Sequence, residues 1–132
     1  MAKQGFAIVT GGSSGVMQAA NKGAYEAGGS SVGLNVTLPD NQDYNPYLTE
    51  KFSFEHFFVR KVMLTYASEV YVYFPGGFGT LDEFFEIVTL VQTKKIRRVP
   101  IVLFGKSYWE PLLQFIEKTL YEERKAVDKG DL

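Results

Sequence analysis

Val70-Tyr71-Val72-Tyr73-Phe74-Pro75-Gly76-Gly77-Phe78-Gly79-Thr80-Leu81-Asp82-Glu83 is the stretch from which the fold can be read. Its first five residues are β-branched or aromatic and mark a buried strand. Pro75 and the glycines then turn the chain sharply. From Thr80 onward Leu81, Phe84, Phe85, Val88 and Val91 share one helical face. The same strand, glycine turn and helix open the chain. Phe6-Ala7-Ile8-Val9-Thr10 runs into Gly11-Gly12-Ser13-Ser14-Gly15, and residues 16–27 favour helix until Gly28-Gly29 stops it.

Between and beyond these units the alternation continues. Ser31-Val32-Gly33-Leu34-Asn35-Val36 reads as a second strand. Residues 37–51 read as a loop, because Pro39, Asp40, Asn41, Asn45 and Pro46 crowd it with turn formers. A helical period returns over 55–67, with Phe58, Val62 and Tyr66 at spacing four. Val99-Pro100-Ile101-Val102-Leu103-Phe104 is a fourth strand, 108–120 a last amphipathic helix, and 121–132 a charged tail expected to fray. Strands separated by helices imply parallel pairing with right-handed crossovers. The expectation is one domain over 1–132, a three-layer α/β sandwich with a mostly parallel sheet and helices on both faces. The simplest strand order, 2-1-3-4, brings both glycine loops to one cleft at the switch point.

Composition narrows the chemistry. With 14 basic and 15 acidic residues the net charge is −1, too little field to hold nucleic acid or an anionic membrane. The absence of cysteine excludes disulfides and thiolate zinc, and a single His excludes the multi-histidine metal sites. Carboxylate metal sites survive this test. Met1-Ala2-Lys3-Gln4-Gly5 is polar, not an export signal, and no apolar run approaches the roughly 20 residues that span a bilayer. The cytoplasm is the expected compartment. Lys94-Lys95-Ile96-Arg97-Arg98 falls in a helix–strand connection and reads as a solvated turn.

A glycine loop feeding a helix offers backbone N–H groups at the positive end of the helix dipole, which suits phosphate. Gly76, Gly77, Phe78, Gly79 and Thr80 fit that role, and Gly11 and Gly12 belong to the matching loop. A single such loop is as often a plain turn; two at one switch point favour anion binding. Thr80-Leu81-Asp82-Glu83 also spells a capping box, and local pattern alone favours a cap over catalysis for Glu83. Arg60-Lys61 is a basic pair on an apolar helix, which reads as snorkelling for Lys61 and as a reach into the cleft for Arg60. Residues 9–15 resemble a short-chain dehydrogenase loop, and Tyr47-Leu48-Thr49-Glu50-Lys51 matches that family's Tyr-x-x-x-Lys. The pair, however, lies in a proline-bracketed loop rather than on a later long helix, and the second strand ends without an acidic ribose ligand.

Pro75-Gly76-Gly77-Phe78-Gly79-Thr80-Leu81-Asp82-Glu83, preceded by Arg60-Lys61-Val62-Met63, resembles the LOG family. These are cytokinin riboside 5′-monophosphate phosphoribohydrolases and related nucleotide nucleosidases, often labelled lysine decarboxylases. The resemblance extends through Gly11-Gly12-Ser13-Ser14-Gly15-Val16-Met17 and Asn21-Lys22-Gly23-Ala24, from the first residues to about Leu120. It implies a Rossmann-like fold, a homodimer, and hydrolysis of AMP or a cytokinin ribotide to free base and ribose 5-phosphate with no metal and no organic cofactor. On this sequence Arg60 and Glu83 would be the catalytic pair, the 76–80 backbone would hold the phosphate, and Lys61 and Thr89 would line the substrate site. A non-catalytic nucleotide-binding module of the same fold is the alternative. The dimer expectation also rests on the aromatic content of 15%, high for one small core, with Phe57, Phe58, Tyr66, Phe84 and Phe85 as outer-face candidates. Family members begin with a further strand and helix, so the resemblance implies a chain short at its N-terminus, with activity reduced accordingly.

Overall fold

Among the described residues every strand pairing is parallel, and the strands form two sheets. The computed structural model describes residues 1–37, 44–66 and 68–131, which divide into two units, Met1–Ser68 and Glu69–Leu132.

In the first unit a short turn of 3-10 helix (Ala2–Gln4) precedes β1 (Ile8–Thr10), α1 (Val16–Glu26), β2 (Ser31–Val36), β3 (Glu50–Phe54) and α2 (Phe57–Tyr66). The sheet order is β1-β2-β3. β2 is central and buried along nearly its whole length, as a strand paired on both edges should be. β3 corrects the sequence expectation, which placed a loop through residue 51. Val32 to Val36 pair in register with Glu50 to Phe54. The turn formers Asn45 and Pro46 end just before it, and the alternation of Phe52 and Phe54 with Lys51 and Ser53 is a short period-two signal that they masked. Pro39, Asp40 and Asn41, like Ala67 and Leu132, lie outside the described residues.

In the second unit β4 (Tyr71–Tyr73) pairs with β5 (Ile101–Leu103), joined through α3 (Phe78–Gln92). α4 (Lys106–Phe115) follows, carries Pro111 internally, and continues as a wider π-type coil through Ile116–Glu123. The expected pairings of first with second strand and third with fourth are both present; among the described residues the strands form two sheets where one four-stranded sheet was expected.

Tyr73, Phe84 and Trp109 form the core of this second unit, with Leu81, Val88, Ile101 and Leu112 packed around them. Tyr73 and Phe84 meet edge to face at 5.6 Å, and the Trp109 indole N–H donates to the Phe104 carbonyl at 3.1 Å. Phe84 was expected on an outer face and is instead buried, because α3 turns it onto Tyr73 and Trp109. Truncating it would cost about 3–5 kcal/mol.

The Tyr73 hydroxyl donates to the Glu83 carbonyl at 3.1 Å. Burial foremost, then the nearby Tyr71, Glu83 and Glu86, pushes the phenol well above its ordinary value. The folded state therefore keeps a proton that the unfolded chain releases near pH ~10. That stabilisation is complete below about pH 10 and falls above it, by at most about 1.4 kcal/mol per pH unit. Urea titrations at about pH 8 and about pH 11 should show this slope. Tyr73→Phe should flatten it while losing about 1 kcal/mol at neutral pH with the hydrogen bond.

Candidate functional site

The loop after β1 is held from beneath by buried polar side chains. The Thr10 hydroxyl donates to Asn21 Oδ1 at 2.6 Å and accepts the Gly12 N–H at 2.9 Å. Asn21, fully buried on α1, donates through Nδ2 to the Ser31 hydroxyl at 2.9 Å. Asn45 Nδ2 reaches both Asn21 Oδ1 at 3.0 Å and the Ser13 carbonyl at 3.1 Å, while the Asn45 N–H donates to the Gly12 carbonyl at 2.8 Å. The Ser31 hydroxyl in turn donates to the Tyr47 carbonyl at 2.7 Å. An amide suits this centre because it donates and accepts at once, so neighbouring groups find partners without water. Gly12 has φ +75, and a Cβ there would stand 3.0 Å from Gly33 Cα, so both conformation and space require glycine.

Arg60 on α2 comes to the same loop. Its guanidinium carbon lies 5.1 Å from the Phe57 ring centroid, and Nη1 lies 4.0 Å from where a Cβ on Gly11 would sit. That Cβ would also press on Met17 Sδ at 2.9 Å, so the glycine leaves room for both side chains. Gly11, Gly12 and Arg60 are thus brought together within the first unit. Lys61 is half-buried next to Arg60 on α2, and its carbonyl accepts the Thr65 hydroxyl at 2.9 Å.

The loop after β4 is exposed from Pro75 through Gly79. Gly77, in an extended conformation, is the N-cap of α3 and has no side chain with which to cap it. The N–H groups of Thr80 and Leu81 both donate to the Gly77 carbonyl, at 3.0 and 3.2 Å. Thr80 therefore lies inside the first turn and not at the N-cap, the place that a Thr80–Glu83 capping box requires. The extended Gly77 starts the helix three residues earlier. The Thr80 side chain folds back over Gly76, where any Cβ would collide with Oγ1. Phe78 is 92% exposed at the mouth of the loop. Glu83 is half-buried further along α3. Thr89 sits roughly 16 Å along the helix from Phe78, so the structure does not bring it to the loop.

Sequence reading passed over several residues that shape these loops. Thr10, Asn21 and Asn45 build the first; the Tyr108 hydroxyl donates to the Gly76 carbonyl at 2.6 Å in the second. Asn21 carried a signal, a polar residue three positions before Ala24 on the buried face of an alanine-rich helix. Tyr108 carried none. Among the described residues no cluster of three His, Asp or Glu could hold a metal ion, and no helix is long and apolar enough to cross a membrane.

The chain is similar to known proteins over most of its length. A family profile described as "Possible lysine decarboxylase" matches residues 17–131. The chain is 31% identical over 126 residues to a probable cytokinin riboside 5′-monophosphate phosphoribohydrolase of Oryza sativa subsp. japonica, covering 92% of this chain and 50% of that protein. It is 28% identical over 127 residues to a cytokinin riboside 5′-monophosphate phosphoribohydrolase of Rhodococcoides fascians, covering 92% and 63%. A similarly named protein of Arabidopsis thaliana is 31% identical over 125 residues, covering 93% and 51%. The chain spans about half to three-fifths of the length of these relatives.

The polar centre under the first loop gives a direct test. Asn21→Leu keeps the volume but strips the partners from Thr10, Asn45 and Ser31, and should cost about 3 kcal/mol in chemical denaturation. Amide exchange at Gly12 should quicken in the same variant.

Proposed function

The chain belongs to the family described as possible lysine decarboxylases, the LOG family, and from that premise we propose that it hydrolyses the N-glycosidic bond of a nucleoside 5′-monophosphate. The observation that carries this reading is the exposed loop from Pro75 through Gly79, whose Gly77 opens α3 and has no side chain to occupy its first N–H groups. The first N–H groups of a helix have no intrahelical partners, and the dipole adds positive potential there. A phosphate dianion answers both. Arg60, beside Gly11 in the first unit, is the residue we assign with Glu83 to the catalytic pair.

The chemistry follows from the bond to be broken. As C1′–N lengthens, positive charge gathers on the ribose in an oxocarbenium-like state. In this reading the Glu83 carboxylate offsets that charge and orients the water whose oxygen forms the new bond to C1′. One water proton ends on the departing base nitrogen and the other hydrogen stays on the new hydroxyl, giving free base and ribose 5-phosphate. AMP and N6-modified AMP are the substrates to test first, since the relatives are named for cytokinin ribotides.

Purified protein should release base from AMP or its N6-modified form. Glu83→Gln and Arg60→Ala should each lower that rate about 100-fold or more. Release that persists in both variants overturns the pair; AMP binding without release makes the chain a nucleotide-binding module.

We also propose a homodimer joined through α2. Phe58, Val62 and Tyr66 form a stripe at spacing four and are 67%, 57% and 86% exposed. A stripe of that size in water is the signature of an interface. Sedimentation at micromolar concentration should show a dimer, and Phe58→Glu combined with Tyr66→Glu should give a monomer.

A further inference from the structure

The loop after β4 is held in place by the helix after β5. Tyr108, in the first turn of α4, donates its hydroxyl hydrogen to the Gly76 carbonyl at 2.6 Å. The ring is itself fixed. It meets Trp109 edge to face at 5.0 Å, Trp109 is buried, and the Tyr108 N–H donates to the Gly105 carbonyl at 3.0 Å. Pro75 lies over Gly105, so close that a Cβ there would stand 3.1 Å from Pro75 Cγ. The two strand-to-helix turns of this sheet are therefore linked by a hydrogen bond and by packing.

The peptide between Gly76 and Gly77 is planar and trans, so its carbonyl and its N–H point in opposite directions. Drawing the carbonyl toward Tyr108 aims the Gly77 N–H away from α4, to the open side of the loop. Two successive glycines would otherwise let this peptide rotate at little cost. We infer that Tyr108 is a positioning residue for anion binding, presetting the Gly77 N–H as a phosphate donor. The inference rests on the phosphate role proposed above for the 76–80 loop. Binding should also reinforce the contact, since an N–H that donates to an anion makes the carbonyl of the same peptide a better acceptor.

Tyr108→Phe removes one oxygen and leaves the ring on Trp109. Calorimetry with inorganic phosphate and with AMP, on wild type and on Tyr108→Phe, reads the effect. Both ligands should bind about tenfold more weakly to the variant, with the melting temperature unchanged. In turnover assays the variant's KM for AMP should rise by the same factor while kcat stays within about twofold. Equal affinities in the two proteins overturn the inference. So does a weakening that comes with a clearly lowered melting temperature, which would make the hydroxyl merely structural. A wild type that binds neither phosphate nor AMP instead refutes the phosphate reading of the loop itself.

Discussion

Two parallel strands cannot be joined by a tight turn; the chain must cross back, and every strand-to-helix turn then leaves the sheet at the carboxyl ends of its strands. The placement of the loops follows from that constraint. β4 and β5 run side by side in the same direction, so the turns that open α3 and α4 emerge together. A hydroxyl on Tyr108 can then hold a carbonyl at Gly76, 32 residues away in sequence. In the first unit β1 and β2 are parallel neighbours in the same way, and the turn after β1 meets Asn45, which follows β2 in the chain.

The two glycine loops solve one problem with different materials. A glycine-rich backbone keeps a fixed course only where neighbouring groups hold it, because glycine itself restrains the chain little. Below the first loop, small polar side chains do this from a dry interior, where each amide and hydroxyl has a partner. Beside the second, an aromatic cluster carries a phenol to the loop from a rigid base of Tyr73, Phe84 and Trp109. Arg60 adds charge to the first arrangement, and the start of α3 adds a dipole to the second.

Much of this was legible in the residues. The alternation of apolar runs and helical stretches announced parallel α/β structure, and the glycine loops with Arg60-Lys61 and residues 75–83 pointed to the family. β3 was hidden because turn formers immediately before it outweighed a short alternation, and pairing with β2 decided the matter. The start of α3 was misplaced because Thr-x-x-Glu is a good local cap, whereas Gly77 ends the turn earlier. Phe84 read as surface because helical period alone does not say which neighbours a face will meet. Asn45 and Tyr108 act across the sheet edge, through contacts that no local pattern encodes.

The buried amide centre of the first unit has a meaning beyond the loop it supports. A parallel strand that slips by one residue turns all of its side chains to the opposite face. For β2 such a slip would carry Ser31 away from Asn21 and leave several dry donors and acceptors without partners. Aliphatic residues in their place would tolerate the shifted packing far better, since oily contacts are not directional. The network therefore raises the free energy of rival arrangements as well as holding the native one. It tells the chain which compact arrangement to reject, and widens the gap on which a single folded answer depends.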